Sequence, residues 1–185
     1  MNKIVAGALS AALLAIGVVG IVLGDDDDEG RGGKSSRGRD LAPVTNAVYR
    51  TECGSCHFAY QPGLLPADGW QRIMGSLDNH FGDDASLDPA VAKELLDYLT
   101  ANSADGNASI RSRAFAAKPI AADGLPRITQ TAYFQRKHDE IPQRLVKDNP
   151  KVGSFSNCNA CHQGAEQGDF NEHRVSIPGA GRWTD

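Results

Sequence analysis

Cys53-Gly54-Ser55-Cys56-His57 decides how the rest of the chain is read, and it recurs as Cys158-Asn159-Ala160-Cys161-His162. Cys-x-x-Cys-His is the attachment signature of c-type haem. Two intervening residues set both sulfurs on one turn, within reach of the two vinyl groups of one porphyrin. The imidazole of the next residue then falls beneath the ring and supplies a nitrogen to the iron. A disulfide, a redox dithiol or half of a zinc site would also use paired cysteines, but none of them requires the histidine that follows. All four cysteines of the chain lie in these two motifs. The expectation is two covalently bound haems c, attached through Cys53, Cys56, Cys158 and Cys161, with His57 and His162 as axial ligands.

A chain of 185 residues allows one large or two small domains. Aromatic residues make up only 6%, thin material for a core of side chains alone, and two apolar porphyrin discs would make up the deficit. The net charge of −4 argues against nucleic acid as a partner. Its distribution is uneven. Residues 41–106 carry nine acidic and three basic side chains, whereas residues 107–185 carry eight and eleven. Opposite fields on the two haem regions can orient encounters with redox partners, although an uneven solvated surface needs no such purpose.

Outward from the motifs, the N-terminal part has its own character. Residues 4–23 are almost entirely apolar after Lys3. Residues 1–24 are therefore a signal peptide or a membrane anchor. The run exceeds the roughly 7–15 residues of a signal core and matches the roughly 20 that span a bilayer, which favours the anchor. Lys3 on one flank and Asp25-Asp26-Asp27-Asp28-Glu29 on the other place the remainder outside the cytoplasm. A periplasmic location, with residues 4–23 as the means of attachment to the inner membrane if uncleaved, agrees with haem attachment on that side. Residues 25–40 are acidic, then rich in Gly, Ser and Arg, with no apolar period. They read as a disordered tether with an end-to-end distance of roughly 20–25 Å.

The expected fold is mainly α, two small cytochrome c-like haem units spanning 41–103 and 104–185. In the first, a helix from near Thr45 carries the motif, and Pro62 and Pro66 break the chain into a loop. Trp70, Ile73, Met74, Leu77, His80 and Phe81 follow the i, i+3, i+4, i+7 recurrence of an amphipathic helix. Asp88-Pro89 is an N-cap followed by a first-turn proline, opening a helix that ends before Asn102. In the second unit, residues 104–125 have weak periodicity and read as a connecting stretch. Thr129 caps a helix carrying Tyr133, Phe134, Lys137, His138 and Ile141, which Pro142 loosens or ends.

His80 and His138 both fall on apolar helical faces, where an iron with an open axial position reverses the usual expectation of a packed core histidine. Met74 shares the face of His80 and is the rival ligand. His173, between Glu172 and Arg174, reads as a surface residue. Of five histidines, two bis-histidine haems use four. His80 is assigned to the first haem and His138 to the second, although a crossed arrangement satisfies the same count.

With these residues in view the sequence resembles the DHC-type dihaem cytochrome c family of proteobacteria. The resemblance rests on Glu52 to Tyr60 with Gly63-Leu64-Leu65-Pro66 and Trp70, on His80-Phe81-Gly82-Asp83-Asp84-Ala85, on Tyr98-Leu99, on the segment 128–138 and on the segment 158–170. It implies two small helical units with bis-histidine haems of low potential, with His80 and His138 as distal ligands and His173 unmatched. It also implies transfer of electrons between a membrane b-type cytochrome and a small oxygen-binding monohaem cytochrome. Electron transfer without catalysis is thus the expected function. The alternative is a dihaem enzyme of the peroxidase or nitrogen-oxide reductase type, which needs one open haem site. A haem-based sensor would need an output domain for which no room remains.

Overall fold

A computed structural model describes residues 41–107, 109–118 and 123–183. The apolar run 4–23 and the tether 25–40 lie outside the described residues, and the expectations placed on them with it. Among the described residues, six short helices and one two-stranded ribbon are joined by 3-10 turns and loops, in keeping with the mainly α expectation. No helix of the described residues is long and apolar enough to cross a membrane.

Helix α1, Ala47–Gly54, starts two residues later than expected because Asn46 is the cap. Its Oδ1 accepts from the Tyr49 backbone N–H at 2.8 Å, satisfying one of the donors a helix start leaves open. The helix ends at Gly54, so Cys53 rides on it while Cys56 and His57 lie beyond. Helix α2, Ala67–Met74, follows Pro66 and buries Trp70 and Ile73. Helix α3, Pro89–Ala101, opens as expected on Asp88, whose carboxylate accepts from Ala90 N–H at 2.8 Å. It lies against α2, and Leu95 and Leu99 enter the same core as Trp70 and Ile73. Burying such side chains contributes about 1.5–3 kcal/mol each.

The apolar recurrence from Trp70 to Phe81 does not make one helix. It stops at Met74 because Gly75 occupies the C-cap, its N–H bonded to the Gln71 carbonyl at 2.9 Å. A single 3-10 turn, Leu77–Asn79, then leads into a tight turn. His80 N–H donates to Asp83 O at 2.7 Å, and Asp83 N–H to His80 O at 3.2 Å. Phe81 takes φ 57° inside that turn, a left-handed conformation uncommon for a bulky side chain. His80 therefore sits on a turn, not on a helical face.

The stretch 104–125 is more than a connector. It holds α4, Ile110–Ala116, capped by Ser109 and burying Ser112 and Phe115. Seven residues give fewer than two turns of periodicity to read. Helix α5, Ala132–His138, is capped by Thr131 and not by Thr129, which falls in the preceding 3-10 turn. The helix already ends four residues before Pro142. Helix α6, Cys158–Cys161, is one turn holding the second motif. Strands β1, Ser176–Ile177, and β2, Gly181–Arg182, pair antiparallel beyond it.

One hydrophobic cluster draws from both sides of residue 103, including Leu64, Trp70 and Leu95 as well as Phe115, Phe134 and Phe170. Polar links cross the same line. Gln61, fully buried, donates through Nε2 to the Ala165 carbonyl, Leu41 N–H donates to Gly168 O at 3.0 Å, and Ala104 N–H to Leu65 O at 2.8 Å.

Candidate haem sites

At the first site the end of α1 and the turn after α2 bring His57 and His80 together, ring centres 6.2 Å apart and planes tilted by 22°. Cys56 shares a cleft with His57, and Cys53 packs against the core cluster. At the second site α5 presents His138 and α6 leads into His162, again with ring centres 6.2 Å apart, the planes now at 69°. Cys158, Cys161 and both of these histidines line a cavity whose other walls are largely apolar, among them Phe115, Phe155, Val175 and Trp183. Met74 packs against the core cluster. His173 is exposed on the 3-10 turn Glu172–Arg174.

The donor set fits a metal that brings its own equatorial ligands. Two imidazoles on opposite sides of one metal, about 2 Å from it on either side, place their ring centres about 6 Å apart. Among the described residues no group of three or more His, Cys, Asp or Glu side chains is placed to hold a metal ion by itself, whereas a structural zinc would ask for four. None of the four cysteines is bonded to another. Burial pushes the Cys53 thiol up to about 11 and the Cys158 thiol up to about 12. Such thiols are protonated at neutral pH, unlike the thiolates of redox dithiols.

Hydrogen bonding orients the imidazoles. His57 Nδ1 lies 2.8 Å from the Phe58 carbonyl and His138 Nδ1 lies 2.8 Å from the Phe134 carbonyl. A carbonyl only accepts, so Nδ1 carries the proton and Nε2 is left with its lone pair, the form a metal needs. The Phe134 ring stacks on His138 with centres 3.9 Å apart and planes within 6°. His80 Nδ1 is buried and finds no hydrogen-bond partner in the chain, a group that calls for a partner from outside the polypeptide.

Burial and the neighbouring His138 push His162 down to about 4, and burial first of all lowers His80 and His138 as well. The neutral imidazole is the ligating form. The same shifts set a pH dependence. An unfolded histidine takes up a proton near pH 6.5 while the folded one refuses it, so the stability is fully present above pH 6.5 and is lost as pH falls towards 4. For His162 the slope approaches about 1.4 kcal/mol per pH unit within that window, and His80 and His138 act in the same direction. Denaturation midpoints should be level above pH 7 and fall steadily below 6.5, and a pH-independent midpoint down to pH 4 would contradict the assignment.

Two participants escaped the sequence. Arg111, on α4, lines the second cavity and donates from Nη1 to the Tyr133 hydroxyl at 2.9 Å. Phe155 meets His138 edge-on, ring centres 5.9 Å apart. Neither lies in a legible period, so no local signal marked them.

The family model described as dihaem cytochrome c matches residues 49–170. A diheme cytochrome type c from Shewanella baltica OS155 is 50% identical, with 75% of this chain and 98% of that one covered at a TM-score of 0.62. A diheme cytochrome c from Rhodobacter sphaeroides is 43% identical, covering 70% and 100%, with a TM-score of 0.60. No curated protein matches the chain.

Proposed function

The chain belongs to the dihaem cytochrome c family and carries two covalently bound haems c, and from that premise we propose that it is a low-potential electron carrier and not an enzyme. Bound haem supplies a one-electron couple between ferric and ferrous iron. The chain's residues hold and tune it. Cys53 and Cys56 attach the first haem and Cys158 and Cys161 the second, so that each of the segments 41–103 and 104–185 contributes one attachment. His57 and His80 ligate the first iron, His162 and His138 the second. The Phe58 and Phe134 carbonyls fix tautomer and ring orientation.

The observation that carries this proposal is the matched pairing of histidines, 6.2 Å between ring centres at both sites, the separation that two imidazoles on one iron would have. An oxidoreductase acting on a small molecule at iron needs an open axial position, and two opposed imidazoles leave none. Bis-histidine ligation also keeps the potential below that of Met/His haems, and Met74 is engaged in the core. The family resemblance supports as partners a membrane b-type cytochrome and a small oxygen-binding monohaem cytochrome, between which the chain would pass electrons. The same family setting, with the apolar run 4–23, supports a periplasmic location with attachment to the inner membrane if that run is retained.

A visible spectrum with carbon monoxide and a redox titration test the proposal together. The expected result is two low-spin haems, no carbon monoxide adduct in the reduced protein, and two midpoints below the Met/His range. One haem that binds carbon monoxide in the native protein would favour the enzyme instead.

A further inference from the structure

Tyr60 packs beside the first motif and is hydrogen-bonded two residues ahead of the second. Its ring lies 5.1 Å from the His57 ring, centre to centre, with the planes inclined by 34°. Its hydroxyl donates to the Ser156 carbonyl at 2.8 Å, across 96 residues of chain. That carbonyl oxygen lies 3.7 Å from the Cys158 sulfur. Tyr60 is itself held in place, its own carbonyl accepting from the Tyr49 hydroxyl at 2.9 Å and its ring meeting Phe58 edge-on at 5.5 Å. The two motifs also share a cleft, to which Cys56 and His57 contribute from one side and Asn157 and Asn159 from the other.

We propose that Tyr60 is the positioning residue for electron exchange between the two haems, linking the His57 ring to the Cys158 attachment through its phenol and the Ser156 carbonyl. The proposal rests on the axial and thioether assignments made above. In the exchange one electron leaves a ferrous iron and enters a ferric one. No bond forms or breaks, and the phenol keeps its proton throughout. A phenylalanine would keep the ring contact and lose the hydrogen bond, and a leucine would lose both.

The test uses the full holoprotein, half reduced, with the haem-methyl proton resonances reporting how fast the electron exchanges within one molecule. Tyr60→Phe should slow the exchange several-fold with low-spin spectra and both midpoints unchanged, and Tyr60→Leu should slow it further with low-spin spectra retained. Tyr98→Phe is the control, because it removes a phenol that accepts from Thr45 N–H at 3.2 Å and lies off the route. If both Tyr60 variants exchange as fast as the native protein, the electron passes directly between the porphyrin edges and the proposal is overturned. It is overturned equally if Tyr98→Phe slows exchange as much, or if the slowing follows from shifted midpoints. Tyr60→Phe differs from the native residue by one oxygen atom, which keeps the comparison available should Tyr60→Leu misfold. A high-spin haem in the native protein would instead sink the carrier assignment and leave the exchange comparison readable.

Discussion

Replacing His138 by alanine is expected to turn one of the two haems from low-spin to high-spin and to open it to carbon monoxide, and replacing His80 should do the same to the other. The proximal histidines remain in both variants, so the haems stay attached and five-coordinate. His173→Ala should leave the spectrum unchanged, since that residue is exposed and lies apart from both pairs. The ring tilts make the outcome assignable haem by haem. Imidazole planes near parallel, as at His57 and His80 with 22° between them, split the iron orbitals they overlap and give a rhombic low-spin signal in paramagnetic resonance. Planes nearer perpendicular, as at His138 and His162 with 69°, leave those orbitals close in energy and give a strongly anisotropic one. His80→Ala should therefore remove the rhombic signal and His138→Ala the anisotropic one. The reverse loss would overturn these pairings and their tilts, and a high-spin haem produced by His173→Ala alone would remove His138 from the second site.

Gly168→Ala should be among the most destabilising single substitutions in the chain. Gly168 closes the 3-10 turn Ala165–Gln167 at φ 77°, and its carbonyl accepts from Leu41 N–H at 3.0 Å. A Cβ added there would be driven into the Leu41 carbonyl group. Leu41 is 1% exposed, so it cannot step aside without uncovering the core. The left-handed backbone costs a non-glycine residue about 1–2 kcal/mol, and overpacking adds about 1–3 kcal/mol. The sum is a large share of the roughly 5–15 kcal/mol by which a domain is stable. Gly179→Ala separates the two contributions, because its φ is 83° but nothing lies within 4 Å of the added Cβ. Denaturant titration should show Gly168→Ala losing clearly more stability than Gly179→Ala. Equal losses would mean that the seam between Leu41 and Gly168 is not closed in solution.

The cofactor and its number were legible in ten residues. Covalent attachment is local chemistry, so the spacing of Cys53, Cys56 and His57, repeated at Cys158, Cys161 and His162, points to the cofactor without reference to the rest of the fold. Helix α3 was legible for a similar reason. Asp88 and Pro89 settle its start through atoms within two residues, and its apolar side spans thirteen residues, enough for a period to be read.

The surroundings of the distal histidines were decided elsewhere. The apolar recurrence through Trp70 and Ile73 pointed to a helical face for His80, but Gly75 breaks that helix and a left-handed Phe81 turns the chain. Helix α4 was missed because seven residues show too little periodicity, and its helical state draws on burying Ser112 and Phe115. That His57 meets His80 and His162 meets His138 depends on how turns and helices pack, not on spacing along the chain. The bridge from Tyr60 to Ser156 lay furthest from view. It joins groups 96 residues apart, and sequence patterns report only neighbours within a few turns. Local covalent chemistry made this chain a dihaem protein; where the distal rings and Tyr60 stand relative to the attachment motifs follows from burying one apolar cluster shared by both halves of the chain.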